Sequence, residues 1–325
     1  MGTTAQKLNK ILETKEAIRT AINNKGGTLT TTDTFASYPS AIDNLPSGGG
    51  INPLQHIIDN HKGDNQASGE DLFYEYWGSS LDDAINSCDF SKITSAKEMF
   101  YDCKNLTSIP YFNTSNVTDM NSMFYKCLNL TTIPQLDTSK VTDMSYMFSI
   151  CSNLTTISQL NTSNVTSMNN MFENCSNLTS IPQLDTSKVT RMDSMFPNCS
   201  KLTKIQLDTS NVTNMYSMFF SCFRLTTIDI TYMKITSTYS SNQFASNCYR
   251  LTKLIIRNMP TIPTLNSNAF NSCYHFTGTV SEYSNPEGLK DGRIYVPDDK
   301  VEALKTATNW SVYADIIVPL STLVE

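Results

Sequence analysis

The sequence predicts an α/β repeat fold, a solenoid of about eight units that are each 23–26 residues long. The first observation is a near-duplicate: residues 137–148 read DTSKVTDMSYMF and residues 185–196 read DTSKVTRMDSMF. The second is a Met-Phe pair that occurs six times at steps of 23 or 24 residues. A unit of this length cannot bury its apolar face alone, so the units are expected to stack into one continuous core.

The third observation is a cysteine at the same position of each unit. Disulfides and zinc sites use paired, irregular spacings, which these cysteines do not show. Free cysteine packs as a small apolar side chain. We therefore predict a structural ladder of buried thiols. The ladder consists of Cys103, Cys127, Cys151, Cys175, Cys199, Cys222, Cys248 and Cys273.

Each unit divides into two halves by the period of its apolar residues. In the third unit the apolar residues after Asp137 follow at steps of three and four, which predicts a short helix or a set of helical turns. Asp137 stands where it can cap a helix. Residues 154–157, Leu-Thr-Thr-Ile, are typical of a short strand. Pro134 and Pro182 follow the equivalent isoleucines, so these strands are expected to be very short.

The segments that flank the array differ from it in composition. Residues 1–46 predict a helical module, and residues 47–50 form a Gly-rich linker. The solenoid is expected to occupy residues 89–279. Residues 51–88 are expected to cap its first coil. Residues 280–325 read as strand, helix and strand, which predicts an αβ C-terminal cap that blocks edge-to-edge stacking.

The helical module carries apolar residues on one face of a helix over residues 4–23 and of a second, shorter helix. A piece of this size buries too little surface to be stable alone. It is therefore expected to dock on copies of itself, as a homo-oligomer such as a trimer, or on a larger assembly. The side chains predicted to make this attachment are Leu8, Ile11, Leu12, Ile18, Ile22, Phe35 and Tyr38.

Composition and motifs argue against several classes of function. The formal net charge of −6 argues against a nucleic-acid partner, because phosphate binding needs a basic surface. No run of 18 apolar residues is present, and the N-terminus leads into no apolar signal segment, so neither membrane insertion nor a secretory signal is expected. No nucleophile elbow or phosphate-binding loop occurs, and the spacing of His56 and His61 fits no standard metal site. We expect no catalytic residues, no metal, no cofactor and no enzymatic activity.

The pattern C-x-N-L-T-x-I with Met-Phe upstream resembles the leucine-rich repeats of the BspA-type family of bacterial surface proteins, including its mycoplasma-lipoprotein-like branch. The resemblance covers about residues 89–275. The string IYVP…NW…YADIIVPL resembles the unit that finishes such arrays. The resemblance implies an irregular leucine-rich-repeat solenoid that is used for adhesion outside a cell and has no active site.

The string KLNKILETKEAIRTAINNKGG…FASYPSAIDNL resembles short N-terminal modules of tail fibres and other virion proteins of bacteriophages. This resemblance implies a virion protein in the tail or another exposed appendage, which binds other virion proteins through residues 1–46. The array would then bind a surface glycan or protein of the bacterial host. Two alternatives stay open: a head fibre, collar or decoration protein with a structural role, and a bacterial surface adhesin.

Aromatic residues at variable positions of the repeat are the candidate receptor contacts. Other units have small or polar residues there, and exposed rings form stacking surfaces for sugars and anchors for proteins. A ligand-free solvated exterior, or burial in the core, is the alternative for each of them. The candidates are Tyr111, Tyr125, Tyr146, Tyr216 and Phe220.

A two-unit period of 48 residues overlies the single-unit period. Asn113, Asp137, Asn161 and Asp185 alternate at one position, and the third residue after each alternates between Asn and Lys. Alternation increases the distance between stacked carboxylates, and each lysine offsets one charge. A recent duplication of a two-unit block explains the pattern as well.

Overall fold

The computed structural model describes residues 89–235, 237–278 and 291–324, together with short stretches at 19–20, 23, 62–63, 66–68, 72–73 and 81–86. Residues 19, 20 and 23, which belong to the predicted N-terminal helix, are helical. The seven predicted attachment residues between Leu8 and Tyr38, the linker at 47–50, and both His56 and His61 lie outside the described residues.

From residue 89 onward the chain winds into coils that stack in parallel. Backbone amides donate hydrogen bonds across the coil step, as from Thr142 to the carbonyl of Thr118 at 2.9 Å. Parallel bridges join one position of successive coils at steps of 24 residues, from Ser95 through Asp119, Asp143 and Ser167 to Arg191. These stacked parallel coils confirm the predicted leucine-rich-repeat-like fold.

The apolar segment of each coil consists of tight turns, and the helix that was one alternative for it is not formed between residues 89 and 235. In the third unit the N–H of Phe148 donates to the carbonyl of Met171 in the next coil at 3.0 Å. The N–H of Met147 instead donates to Met144 within its own coil at 3.2 Å. A helix would direct all these amides along its own axis, whereas the alternation links neighbouring coils through the backbone.

Left-handed residues explain why the segment does not become helical. Positive φ angles occur in pairs four residues apart, one before the Met-Phe pair and one two residues after it, as at Asn170 (56°) and Asn174 (58°). Each of them interrupts a right-handed path. Asp137 therefore caps no helix, and its carboxylate accepts a hydrogen bond from the N–H of Ser139 at 3.0 Å in an Asx turn.

Replacing Asn170 by valine is expected to lower the free energy of unfolding by roughly 1–2 kcal/mol, because a β-branched residue tolerates positive φ poorly. Urea unfolding followed by circular dichroism measures the change. The matched control is Asn170→Gly, which is expected to stay within about 0.5 kcal/mol of the parent because glycine adopts this conformation freely. Equal destabilisation by both substitutions would contradict the importance of the left-handed conformation.

Two of the stretches described before the array, residues 62–63 and 66–68, belong to a small sheet. Strand β1 (Lys62–Gly63) pairs antiparallel with β2 (Gln66–Ser68), and β2 pairs in parallel with β3 (Ile93–Ser95). The Phe73 ring is buried and stacks on Phe100 with 5.3 Å between ring centroids. This part of the chain therefore packs on the first coil.

Paired strands are concentrated in the later coils. Pro110, Pro134 and Pro182 follow the isoleucines of three early units, where proline has no N–H to donate to a neighbouring coil. Ser158 replaces this proline in the third unit, yet the chain between residues 106 and 184 contains no paired strand. From residue 204 onward the extended segments form a five-stranded parallel sheet in chain order. Its strands are β4 (Lys204–Leu207), β5 (Thr227–Tyr232), β6 (Lys253–Asn258), β7 (Arg293–Val296) and β8 (Ile317–Pro319).

The core consists of ladders in which one residue type repeats from coil to coil. From Phe100 to Phe219 six phenylalanine rings stack nearly parallel, with centroids 5.3–5.7 Å apart. All eight predicted ladder cysteines are buried and unpaired. Each Sγ lies 3.0–3.1 Å from a carbonyl oxygen of the layer before it, as Cys151 does from Phe124. The thiols therefore hydrogen-bond the backbone as well as fill space.

The C-terminal segment continues the sheet and closes over the last coil. Trp310 is fully buried, and its Nε1–H donates to the carbonyl of Pro263 at 2.9 Å. The neighbouring Asn309 side chain donates to the carbonyl of Leu265 at 2.8 Å. Short helices are α1 (Asp82–Asn86), α2 (Tyr274–Thr277) and α3 (Val301–Thr306), which joins β7 to β8.

Candidate functional site

A groove of about 1070 Å³ crosses successive coils where each coil enters its Asp/Asn-Thr-Ser segment. Most of its lining residues are polar, with a leucine from each of three coils among them, and the same residue types recur at the coil spacing. One column contains amides, a second contains carboxylates and an amide, and a third contains threonines. The columns are Gln135, Gln159 and Gln183; Asp137, Asn161, Asp185 and Asp208; and Thr138, Thr162 and Thr186.

The glutamine column is held in place by backbone hydrogen bonds. The Nε2 of Gln135 donates to the carbonyl of Gln159 at 2.8 Å, and the Nε2 of Gln159 donates to Gln183 at 2.7 Å. Each amide therefore has a defined orientation although its side chain is exposed. Side chains that are already ordered lose less conformational entropy when a ligand binds.

Asp137 and Asp185 of the second column are ionised hydrogen-bond acceptors. Hydrogen bonds from the side chain and then the backbone of Ser139 lower the pKa of Asp137. Ser187 lowers the pKa of Asp185 in the same way. The groove therefore offers charged acceptors beside neutral amides.

The two-unit period beside the groove has a direct physical basis that neither sequence explanation included. The Nδ2 of Asn164 donates to the carbonyl of Ser139 at 2.8 Å in the preceding coil. Its Oδ1 accepts a hydrogen bond from the Nζ of Lys188 in the next coil at 2.9 Å. Lys140 pairs with Asn116 in the same manner at 2.7 Å. Asn164 thus bonds the backbone of the preceding coil and the lysine of the next coil.

Of the five candidate receptor contacts, Tyr111 alone lines the groove. Its side chain is 66% exposed. Tyr125 and Tyr146 are half-buried, and their rings contact each other edge to face with 6.4 Å between the ring centroids. Burial, followed by the charge of Glu173, raises the pKa of the Tyr125 hydroxyl.

Tyr216 and Phe220 are half-buried in a later coil. Tyr216 stacks on Tyr239 with 5.1 Å between ring centroids, and Tyr239 is 65% exposed. Sequence reasoning missed Tyr239 because its unit departs from the repeat pattern. The glutamine column was also missed. Its residues are part of the repeat consensus, and they form a continuous surface only when the coils stack and align them.

A protein-family profile described as "Mycoplasma protein of unknown function, DUF285" matches residues 68–181, 128–230, 151–255 and 174–283. These overlapping matches together extend over more than half of the chain. The chain belongs to the DUF285 family. Membership in DUF285 and the stacked coils confirm the BspA-type leucine-rich-repeat character expected from the motifs.

Two solved structures are similar to this DUF285 chain. The leucine-rich repeat protein of T. pallidum is 16% identical with a TM-score of 0.31, over 51% of this chain and 64% of that chain. A leucine-rich cell surface protein of Faecalibacterium prausnitzii A2-165 is 18% identical with a TM-score of 0.24, over 64% of this chain and 72% of that chain. The match therefore spans less than two thirds of the T. pallidum protein. No curated protein matches the chain in sequence.

In the part of the DUF285 chain that the structure describes, no three His, Cys, Asp or Glu side chains come together as a metal ion would require. Within the same ranges no helix combines the length and the apolar character needed to cross a bilayer.

One threonine of the DUF285 groove lacks the hydrogen bond of its counterparts. The Oγ1 of Thr138 donates to the carbonyl of Asn161 at 2.9 Å. The Oγ1 of Thr186 donates to Asp208 at 2.7 Å. The hydroxyl of Thr162 is buried without a hydrogen-bond partner among the described residues.

Thr138→Val is expected to lower the free energy of unfolding by roughly 1–2 kcal/mol, because it removes a buried hydrogen bond and leaves the Asn161 carbonyl unpaired. Thr162→Val is the matched control and is expected to be neutral or stabilising, since its hydroxyl has no bond to lose. Chemical unfolding of the two variants measures the difference. If Thr162→Val lowered the free energy of unfolding as much as Thr138→Val, the two hydroxyls would contribute equally to stability, which would contradict this prediction.

Proposed function

We propose that this protein is an adhesive protein of a bacteriophage virion, and that its groove binds a polar glycan of the host surface. The observation that carries the proposal is the column of fixed glutamine amides beside ionised carboxylates, with Tyr111 at one end. Planar amides and carboxylates suit the hydroxyl groups of sugars, and an exposed tyrosine ring suits their apolar faces. A repeating surface also suits a repeating polymer.

The virion setting is supported by the resemblance of residues 1–46 to phage N-terminal modules. We propose that this helical module attaches the chain to other virion proteins and forms a homo-oligomer. Many copies on one particle would bind at the same time, so the particle would bind with high avidity although each single contact is weak. We further propose about eight repeat units over residues 89–279 and an αβ cap over residues 280–325, a role that the buried Trp310 supports.

The binding test uses the purified full chain and an array of bacterial surface polysaccharides. We expect Gln159→Ala combined with Asp185→Ala to weaken binding by about thirtyfold, because each removes a groove hydrogen bond worth about 1 kcal/mol. Gln206→Ala is the matched control: Gln206 is an exposed strand residue that is not part of the groove. Unchanged binding by the double variant would rule out the groove as the glycan site.

A bacterial surface adhesin is the second candidate, because the matched family is described from Mycoplasma, a cellular organism. Immunogold labelling of purified virions with antibody against residues 89–275 separates the candidates. Label on tails or fibres supports host attachment by a virion protein. Label on the head or neck supports a decoration, collar or head-fibre role, and label on the bacterial envelope alone supports the adhesin.

A further inference from the structure

Positive charge is concentrated in the later coils. Residues 199–278 contain seven Lys and Arg side chains against two acidic ones, although the whole chain has a net charge of −6. Asp229, one of the two acids, is bound by the guanidinium of Arg257 at 2.9 and 2.7 Å. Its charge is therefore compensated locally, which leaves the remaining basic residues in excess.

Three aromatic rings stack along the surface of these coils. Phe223 and Tyr249 are 5.2 Å apart between centroids, and Tyr249 and Tyr274 are 5.1 Å apart, with interplanar angles of 12° and 11°. Phe223 is 39% exposed. Each ring follows a ladder cysteine, at the position where the preceding coils carry small serines, Ser152, Ser176 and Ser200.

A column of cations runs directly beside the rings. Lys201, Arg224 and Arg250 are exposed and make no hydrogen bond or ion pair with the described residues. Earlier coils place asparagine at this position, as at Asn153 and Asn177. The change from asparagine to cations coincides with the change from serine to aromatic rings.

The strand starts extend this charge across the sheet. Lys204 of β4, Thr227 of β5, Lys253 of β6 and Arg293 of β7 are direct neighbours in register. Neighbouring strands lie about 4.8 Å apart, so Lys253 and Arg293 are adjacent charges, and the uncharged Thr227 separates them from Lys204. We name the residues Lys201, Phe223, Arg224, Tyr249, Arg250 and Tyr274 the aromatic–basic stripe.

We propose that the aromatic–basic stripe binds an anionic polysaccharide, in which sugar rings lie on the aromatic edges while carboxylate or phosphate groups pair with Lys201, Arg224 and Arg250. Parallel stacking with 5.1–5.2 Å between centroids leaves no gap in which a nucleobase could insert between two rings, whereas the positive ring edges suit the hydroxyl oxygens of sugars. Exposed cations without partners suit repeating anions. The stripe shares no residue with the groove, so the inference stands or fails independently of groove binding.

The test measures binding of the full chain to polygalacturonate, teichoic acid, neutral dextran and single-stranded poly-dT by biolayer interferometry, at about 50 and 200 mM salt. The variant Arg224→Asn/Arg250→Asn introduces the asparagines that earlier coils carry at the same position. Because those coils fold with asparagine there, the variant is expected to fold, and a loss of binding then reports the loss of the two charges. The matched control, Lys140→Asn/Lys188→Asn, also removes two charges and restores a residue that alternates at that position. Phe223→Ser tests the contribution of the rings.

We expect binding to at least one of the two anionic polymers, polygalacturonate and teichoic acid, weakened by salt and absent for dextran. The arginine variant should bind about tenfold more weakly, and the lysine control should stay within about twofold of the parent. Phe223→Ser should weaken binding to polygalacturonate but not binding to inorganic polyphosphate, which is added to the test as an anionic polymer without sugar rings. Preference for polygalacturonate or teichoic acid identifies the anion. No binding to either, an equal loss in the lysine control, or tighter binding to poly-dT would overturn the proposal.

Discussion

Raising the pH from 7 to 10 is expected to lower the free energy of unfolding by several kcal/mol. Burial raises the pKa of six ladder thiols above the ordinary value of 9.0, so they stay protonated in the folded chain. In the unfolded chain they ionise as the pH passes 9.0. Because the folded pKa is the raised one, the stabilisation is complete below pH 9.0 and declines above it, by on the order of 1 kcal/mol per thiol at pH 10. The six are Cys127, Cys151, Cys175, Cys199, Cys248 and Cys273.

This loss is comparable to the whole stability of a typical domain, which is about 5–15 kcal/mol. Urea unfolding at several pH values with a reductant present measures it. Cys175→Ala is the internal control: whatever its stability at pH 7, its further loss up to pH 10 should be smaller by on the order of 1 kcal/mol. A decline of less than about 2 kcal/mol in the parent would mean that the thiols are accessible to solvent or ionise in the folded state.

Phe172→Ala is expected to lower the free energy of unfolding by about 3–5 kcal/mol. The Phe172 ring is fully buried and lies 5.7 Å from the Phe148 ring and 5.5 Å from the Phe196 ring between centroids. Its removal breaks two stacking contacts and leaves a cavity. The neighbouring rings cannot close this cavity, because each is held by its own coil. Urea unfolding of the variant measures the loss.

Tyr111→Ala is the control for this prediction, because Tyr111 is 66% exposed and its loss is expected to stay within about 0.5 kcal/mol. Hydrogen exchange locates the damage in Phe172→Ala. Stacked coils interact mainly with their nearest neighbours. Amides near Phe148 and Phe196 should therefore exchange faster, and uniform acceleration over all the described coils would instead indicate a single cooperative unit.

The stacking of the array was predictable from the sequence because a fixed period places the same residue at the same point of every coil. Cys151 and Phe148 recur at that period, and burial follows from their apolar character. The short extended segments were also predictable, since Pro134 and Pro182 remove backbone donors. These inferences need residue type and spacing alone.

The turn structure was not predictable in the same way. Steps of three and four are shared by a helix and by successive turns, and the left-handed φ of Tyr146 and Ile150 has no signature in side chains of these types. The groove and the stripe were missed for another reason. Gln159 and Arg224 look like ordinary exposed residues until the coil geometry aligns each with its counterparts in adjacent coils.

The pairing of asparagine with lysine in alternate coils constrains how the gene can change in length. Deleting one 24-residue unit would place Lys140 next to Lys188 without the amide of Asn164 between them. Deleting or duplicating a 48-residue block keeps every alternation intact. Unequal recombination is therefore expected to produce variants that differ by two coils, which is about 10 Å in the length of the solenoid. Such variants keep the existing contacts between coils and need no compensating substitutions.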